Sequence, residues 1–488
     1  MYKSLSFWRL VKKCFIWILL VSICVPMFGC STVEQEKTDE GTLRVLIEQS
    51  DSDDSDGFYR QITLWIEEFE TAHNVTVTLE ELPLDEGSRQ PMVQKIRTEI
   101  MAGKGPDIIF VPAAGSDIAR TSGRSYLIED VPLAMRKGLF YDISEFYDAD
   151  TELKTEQLQS AVMEAGVLDG ARYVLPLRYD IPVFFVETDR FEKTGLSREI
   201  FDKNLLELMD CVVAMGNSWE AYNFRMHWIY PQFVMNAFSQ VFDYDKGKLA
   251  LTQEDLETFF QTYQDYWLRV LHSVAYGDIP MRPILYQYLS TGEYWTKETD
   301  SFQLVHSLQN ALETVAIGKM NGATLETYPL RSVDGKIVAD VTFYGAITAG
   351  CQNPELAYEF LRAFLTEDFQ WERNLMGVGG KAWKLASYGW PVRTEGSVSA
   401  LAEAAENRPL ISYTARKYPV VFAGLTEEDL IVVNCPVDEA QFPIALERDL
   451  WQALWTLVDN KEKVPADVDI SQLAEEWIEK LQVHIEEG

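Results

Sequence analysis

Apolar residues change from strand-like to helix-like spacing several times over the first part of the chain. Three short apolar runs are typical of buried strands: 43–47, 75–79 and 106–111. Between them, apolar residues recur three or four positions apart, which predicts a helix from 58 that ends at Asn74 and a helix along 92–101 that ends at Gly103. One face of the first helix is apolar and consists of Phe58, Ile62, Trp65, Ile66 and Phe69. This order of strands and helices predicts a parallel, doubly wound α/β unit.

Further strands and helices are predicted along the rest of the chain. Apolar runs at 173–186 and 341–348 predict strands, and Asn353–Pro354 has the form of a helix start, an N-cap followed by proline. The helix after it has an apolar face with helical spacing: Leu356, Ala357, Phe360, Leu361, Phe364 and Leu365. Three other stretches are predicted to be helical: 201–294, which is rich in aromatic residues, 445–458 and 470–485.

The first thirty residues have the features of an export signal. Phe15–Val25 is an apolar run of about 11 residues, shorter than the roughly 20 that a membrane-spanning helix needs. Met27–Cys30 resembles a lipobox, in which cleavage before the cysteine is accompanied by lipidation of the cysteine. Residues 1–30 are therefore predicted to be a lipoprotein signal peptide with Cys30 as the lipidated residue, and the polar stretch 31–41 a flexible tether. An uncleaved anchor, with Cys30 an ordinary apolar residue, is the alternative.

Composition narrows the classes of function. The formal net charge of −33 argues against nucleic-acid binding, which needs basic patches. The cysteines beyond the signal are Cys211, Cys351 and Cys435. Their spacing does not match a metal site, so no zinc site is predicted, and a disulfide between two of them stays open. The acidic run 51–57 has its glycine one place late for a calcium loop, and Ile62 replaces the closing glutamate. We expect no metal and no cofactor, and hydrolase and phosphate-binding motifs are absent from the sequence.

Several fragments together resemble the family 1 extracellular solute-binding proteins, the maltose-binding-protein-like group. The strongest are 102–109 and 345–370, and weaker ones are 173–176 and 390–393. The resemblance implies an α/β, two-lobed periplasmic-binding-protein-like fold of type II, each lobe a doubly wound sheet with helices, and a hinge between the lobes. The implied boundaries are 42–178 plus 344–395 for lobe 1 and 179–343 plus 396–488 for lobe 2.

The same resemblance implies where ligand contacts lie. In parallel sheets ligands bind beyond the carboxyl ends of the strands, so the loops after Ile47 and Val111 are expected to face a cleft. Sugar binding uses carboxylates for hydroxyl groups and aromatic faces for the ring. The predicted contacts are Asp53 and Asp54 after the first strand, Ser116 and Asp117 after the third, Tyr179 and Asp180 near the crossover, and Trp228, Tyr230 and Trp451 as aromatic walls. The alternative to a ligand contact is a solvent-exposed loop position for the acidic residues and a buried core position for the aromatic residues.

The resemblance implies a non-enzymatic receptor that captures a small polar ligand, a mono- or oligosaccharide, and delivers it to the permease subunits of an ABC importer. We expect a monomer, lipid-anchored on the extracellular face of the cell membrane of a Gram-positive type of cell. Three alternatives stay open: a receptor of the same fold for a polyamine, peptide or other non-sugar ligand, a secreted lipoprotein enzyme, and a surface sensor or adhesin. The excess of acids over bases in the candidate loops keeps a cationic ligand open.

Overall fold

The fold is taken from a computed structural model, which describes twelve parts of the chain. These are residues 41–48, 55–112, 125–153, 158–215, 238, 240–275, 302–305, 324–366, 369–370, 390–393, 430–433 and 469–487. The predicted signal, residues 31–40 of the predicted tether and the predicted 445–458 helix lie outside them. Within these parts no helix combines the length and apolar content needed to cross a membrane.

The first five elements follow the predicted order. They are strand β1 (Thr42–Ile47), helix α1 (Ser55–His73), strand β2 (Thr76–Glu81), helix α2 (Glu86–Met101) and strand β3 (Ile108–Pro112). The predicted apolar face of α1 is in the core, where Ile62 and Phe69 are almost fully buried. Asn74 ends α1 in a left-handed conformation, with φ of 54°.

Helix α2 begins six residues before the predicted start at 92. Asp85 caps it, since its carboxylate accepts a hydrogen bond from the backbone N–H of Ser88 at 3.0 Å. The additional turn is polar on its exposed side and contains Pro91, so apolar spacing does not reveal it. The helix ends as predicted, with Gly103 in the left-handed region at φ of 69°.

The middle of the chain is less uniformly helical than predicted. The 173–186 run forms two strands, β6 (Val174–Asp180) and β7 (Val183–Glu187). Within 201–294 the structure has a short β-hairpin, β8 (Phe242–Asp243) and β9 (Lys248–Leu249), between helices α7 (Leu205–Ala214) and α8 (Gln253–Ala275). Gly247, with φ of 61°, supplies the left-handed residue of this hairpin.

The remaining strands and α-helices lie before β6 and after β7, together with two 3-10 helices, Arg198–Asp202 and Ala363–Leu365. Before β6 lie helices α3 (Val131–Arg136), α4 (Ser144–Ala149) and α5 (Ser160–Glu164) and strands β4 (Val167–Leu168) and β5 (Ala171–Arg172). After β7 lie α6 (Thr188–Thr194), β10 (Phe302–Val305), β11 (Leu325–Pro329), β12 (Ile337–Ile347), α9 (Pro354–Arg362), β13 (Trp390–Pro391), β14 (Leu430–Val433) and α10 (Ile470–Glu487). Asn353 caps α9 as predicted, accepting from the Leu356 N–H at 3.3 Å.

The strands form one large sheet and one small sheet. In the large sheet the order is β13-β6-β12-β3-β1-β2, and β14 pairs with the first part of β12. β1 and β3 are parallel as predicted, whereas β12 is antiparallel to both β3 and β6. In the small sheet, β7 lies between β10 and β11 and is antiparallel to both. The large sheet is therefore mixed, and the described part of the small sheet is antiparallel rather than doubly wound.

Buried apolar side chains form two separate clusters. The first core cluster draws on Leu43 to Val183 and Ile337 to Val392. The second core cluster draws on Phe184 to Leu330 and Ala474 to Ile485. The chain passes from the first cluster to the second after Val183. Residues 337–343 and 430–433 form part of the large sheet. The lobe boundaries themselves stay a prediction.

Candidate ligand-binding edge of the large sheet

Three strands of the large sheet end at the same edge. β1 is parallel to β3, and β6 runs in the same direction because both β3 and β6 are antiparallel to β12. Phe343 of β12 pairs with Pro112 on one side and with Arg178 on the other. β1 and β3 therefore end at the same edge as β6, whose last residue is Asp180. The predicted contacts in 49–54 and 113–124 follow β1 and β3 in the sequence and lie outside the described residues.

A buried ion pair lies at this edge, directly after β1. The side chains of Glu48 and Arg89 are 0% and 1% exposed and contact each other. Both oxygens of the Glu48 carboxylate also accept from the backbone N–H of Leu127, each at 3.1 Å. Burial raises the pKa of the Glu48 carboxyl to about 7, and the charge of Arg89 opposes that rise.

One face of α2 holds the backbone of 125–127 against the edge. Arg89 donates to the carbonyl oxygens of Ser125 at 2.6 Å and Pro83 at 3.1 Å. Arg97 donates to the carbonyl oxygens of Leu127 at 2.9 Å and Tyr126 at 2.7 Å. The carboxylate of Glu86 accepts from the Ser125 N–H at 3.0 Å. Residues 86, 89 and 97 are three and eight positions apart, so they share one face of α2. Their hydrogen bonds hold the backbone of 125–127 beside this face.

Two crossings between the two core clusters fall within the described residues, and they lie beside this edge. β6 leads into β7 through Ile181 and Pro182, and β11 leads into β12 through 330–336. The crossings are joined by a hydrogen bond from the Leu330 N–H to the Pro182 carbonyl at 2.9 Å. Two adjacent chain crossings with short connections have the geometry that a hinge needs, since a few residues at element ends can absorb a rotation.

A second contact joins the two core clusters away from the crossings. Asp130, just before α3, accepts from the Tyr244 hydroxyl at 3.0 Å and lies 2.9 Å from Nε2 of His484 on α10. Its other oxygen accepts from the Leu133 N–H at 2.7 Å and so caps α3. The tip of the β8–β9 hairpin adds a hydrogen bond from the Asp169 N–H to Asp245 at 2.9 Å.

Two of the predicted contact residues fall on described backbone. Tyr179 is only 1% exposed and belongs to the first core cluster, and its backbone pairs with Val341 and Trp390. In this structure the side chain packs in the core, and the assignment of Tyr179 as a ligand contact stays a prediction. Asp180 ends β6 at the edge, and its side chain is not among those described.

The other predicted site residues lie outside the described residues. They are Cys30, Asp53, Asp54, Ser116, Asp117, Trp228, Tyr230 and Trp451. Among the described residues, no group of three or more histidine, cysteine or carboxylate side chains could hold a metal ion. Within the same part of the chain Cys211 and Cys351 are free thiols, and burial raises the pKa of the Cys351 thiol to about 12.

Sequence reasoning missed Glu48 and Arg89. A glutamate directly after an apolar strand has the same pattern as the first residue of a solvated loop. The available signal was Arg89, because it occupies the same face of α2 as the buried residues Val93, Ile96 and Ile100. A charged residue on an apolar helix face requires a buried partner.

The family assignment rests on a sequence profile. The profile described as bacterial extracellular solute-binding protein matches residues 54–371. The chain belongs to this family. Its members are non-catalytic transport receptors, so the chain is a solute-binding receptor rather than an enzyme. A search of curated proteins by sequence found no match.

Solved structures have the same fold at low sequence identity. A family 1 extracellular solute-binding protein from Alicyclobacillus acidocaldarius is 16% identical, with 91% of this chain and 98% of that chain covered and a TM-score of 0.53. The galacto-N-biose/lacto-N-biose I-binding protein of the ABC transporter of Bifidobacterium longum is 14% identical, with 92% and 98% covered and a TM-score of 0.52. The cyclic α-maltosyl-1,6-maltose-binding protein of Arthrobacter globiformis is 15% identical, with 92% and 99% covered and a TM-score of 0.51. The fold is therefore the α/β periplasmic-binding-protein-like fold.

Proposed function

We propose that this receptor captures a mono- or oligosaccharide and delivers it to the permease subunits of an ABC importer. The observation that supports the proposal is the common edge at which β1, β3 and β6 end. In the sequence, stretches with carboxylates follow β1 and β3, and Asp180 ends β6. The sugar-binding relatives of the same fold support the carbohydrate class. Carboxylates at such an edge suit sugar hydroxyl groups as charge-assisted acceptors.

Ligand capture by closure of two lobes is part of the proposal. Two core clusters joined by short crossings give the chain the parts that hinge closure needs. A ligand shifts the balance between open and closed forms only if it binds the closed form more tightly, so it has to contact both lobes. We therefore assign candidate contacts to both sides: Asp53, Asp54, Ser116, Asp117 and Asp180 near the edge, and Trp228, Tyr230 and Trp451 in the second lobe.

A thermal-shift screen with mono- and oligosaccharides, polyamines and peptides tests the ligand class. A ligand at 100 times its dissociation constant adds about 2.7 kcal/mol to stability, which gives a shift of a few degrees. Shifts with sugars alone are expected. Shifts only with polyamines would favour a cationic ligand, which the four aspartates within 51–57 also suit.

Asp180 is the candidate contact whose position at the edge is best defined. Asp180→Ala is expected to weaken binding of the sugar found in the screen by about 1–3 kcal/mol, as for a buried polar group left without its partner. Asp210→Ala, at an exposed position of α7, is the matched control and leaves the affinity unchanged. Equal affinities of the Asp180 variant and the wild type would remove Asp180 from the site.

We also propose that Cys30 carries a lipid anchor and that the receptor acts as a monomer on the extracellular face of the membrane. The support is the apolar run 15–25 followed by the lipobox-like Met27–Cys30. Cys30→Ser is expected to release the protein into the medium or to leave the signal uncleaved. A correctly cleaved variant that stays in the membrane fraction would contradict the anchor, and a dimer in size-exclusion chromatography would contradict the monomer.

A further inference from the structure

Asp130 is a buried carboxylate that accepts hydrogen bonds from both core clusters. One of its oxygens accepts from the Leu133 N–H at 2.7 Å. The other accepts from the Tyr244 hydroxyl at 3.0 Å and lies 2.9 Å from Nε2 of His484. The side chains of Asp130 and His484 are 4% and 13% exposed. A carboxylate only accepts hydrogen bonds, so Nε2 of His484 carries the hydrogen of this contact.

The β8–β9 hairpin extends the same contact beyond Asp130. Asp245 at its tip accepts a hydrogen bond from the Asp169 N–H, in the turn between β4 and β5, at 2.9 Å. The guanidinium group of Arg136 on α3 lies against Gly247. Tyr244 itself packs against apolar residues of both core clusters. Two separate parts of the first cluster therefore contact one hairpin of the second.

The strength of this contact depends on the charge of His484. Asp130 and His484 form an ion pair only when the imidazole is protonated. A neutral imidazole can still donate from Nε2, but the buried carboxylate then loses the charge of this partner, which is costly. His484 also lies in the last turn of α10, where the backbone carbonyl groups favour a positive charge. Protonation of His484 therefore strengthens the contact between the clusters.

Charged side chains of α10, α3 and the hairpin surround the contact. Lys480, one turn before the histidine on α10, places its ammonium group 4.3 Å from the centre of the Trp477 ring. Arg136 of α3 faces the hairpin. On the hairpin, Lys246 pairs with Asp243 at 2.7 Å, and this hydrogen bond lowers the pKa of Asp243 and raises the pKa of Lys246. The Lys246–Asp243 pair therefore keeps its charges in the range where a histidine titrates.

We propose that Asp130, Tyr244 and His484 form a latch between the two core clusters, and that the latch holds more firmly when His484 is protonated. A rotation that separates the clusters here leaves the Asp130 carboxylate without two of its three donors. Such a rotation is therefore harder in acidic than in neutral surroundings, because a histidine changes its charge between about pH 5 and 8. The latch acts in the same way whatever ligand the receptor binds.

Hydrogen exchange of the full-length protein without ligand, at about pH 5.5 and about pH 8, tests the latch. Rates are expressed as protection factors, which removes the intrinsic pH dependence of exchange. In the wild type, we expect the amides of 131–137 and 242–249 to lose protection about tenfold at the higher pH, as for a buried pair that loses one charge. His484→Gln keeps an N–H donor without a charge, so it should resemble the wild type of the higher pH at both values.

A matched control removes a histidine that lies within one cluster. His73 at the end of α1 pairs with Glu359 on α9 at 3.4 Å, and the two side chains are 33% and 48% exposed. His73→Gln should therefore match the wild type at 131–137 and 242–249. Glu48, whose pKa burial raises to about 7, also titrates in this range. It is present in every variant, so the pH response that remains in His484→Gln measures its share.

A second variant separates the latch from a local effect on α10. Tyr244→Phe removes the other donor of the latch and should lower protection at about pH 5.5 on both sides of the contact, at 131–137 and at 242–249. Loss of protection in the hairpin alone would overturn the proposal, because the contact would then not hold the first cluster.

Three further results would overturn the proposal. The first is equal protection of the wild type at the two pH values. The second is a pH response of the same size in His484→Gln and the wild type, because the charge of His484 would then have no part in it. The third is a loss of protection of the same size in β1 and β3, which would indicate lower stability of the whole fold. A thermal-shift screen without a sugar hit would contradict the carbohydrate proposal and leave this test unaffected.

Discussion

The contact centred on Asp130 predicts that the two core clusters are energetically coupled. The side chain of Asp130 is 4% exposed, and it binds Tyr244 at 3.0 Å and His484 at 2.9 Å, both on elements of the second cluster. Tyr244→Phe removes one hydroxyl without changing the shape of the ring. A hydrogen bond to a charged group contributes about 1.5–3 kcal/mol, so this variant should lower the free energy of unfolding by about that amount.

A double-mutant cycle isolates the coupling. Asp130→Ser removes the carboxylate but keeps a residue that can cap α3, so combination with Tyr244→Phe measures the loss across the contact. We expect a coupling energy of about 0.5–3 kcal/mol from urea unfolding followed by tryptophan fluorescence and circular dichroism. The two probes must give coincident transitions for the free energies to be defined.

The control for this cycle is on the same hairpin. Lys246 pairs with Asp243 at 2.7 Å, but its side chain is 69% exposed, so Lys246→Ala should change stability by less than about 0.5 kcal/mol. A coupling energy between Asp130 and Tyr244 that is indistinguishable from zero would refute the reasoning. The contact would then contribute nothing to the connection between the clusters.

Three further predictions concern the fold and its electrostatics, and urea unfolding tests each of them. Gly166→Ala should destabilise the protein by about 1–3 kcal/mol, because the new methyl group would lie 2.1 Å from the Val174 carbonyl oxygen. Gly87→Ala, in the first turn of α2, should instead stabilise the protein by about 0.4–1 kcal/mol. Equal effects of the two substitutions would contradict the steric explanation. Asn204→Ala should cost about 0.5–2 kcal/mol through loss of the capping box of α7, and no change would show that the cap is dispensable. Burial raises the pKa of Glu48 from 4.5 to about 7 in the folded protein. The wild type should therefore lose stability relative to Glu48→Gln as the pH rises from 5 to 8, by at most about 1.4 kcal/mol for each pH unit between the two pKa values. A gain in the stability of the wild type relative to this variant with rising pH would contradict the prediction.

Local patterns predicted the elements from β1 to β3 well, because the positions with regular apolar spacing are also the buried positions. Phe58, Ile62 and Phe69 are spaced for one helix face, and all three are buried. The start of α2 was missed because its cap, Asp85, precedes a polar turn. The β8–β9 hairpin was missed because aromatic residues on both sides of it suggested one continuous helix.

The candidate site was only partly predictable, since its connections are tertiary. Asp180 was expected near a crossover, and the end of β6 is at the sheet edge. Tyr179, its neighbour, points into the core because side chains alternate along a strand, and the sequence did not indicate which face is covered. Glu48 has its partner Arg89 41 positions away, and no local pattern relates the two.

The central claim is that the receptor closes around a sugar, and small-angle X-ray scattering tests it most directly. The radius of gyration should be measured for the wild type and Asp180→Ala with and without the sugar that gives the largest thermal shift. We expect saturating sugar to make the wild type more compact, and we expect Asp180→Ala to need a higher sugar concentration for the same change. A wild type that binds the sugar at saturation with an unchanged radius of gyration would contradict it.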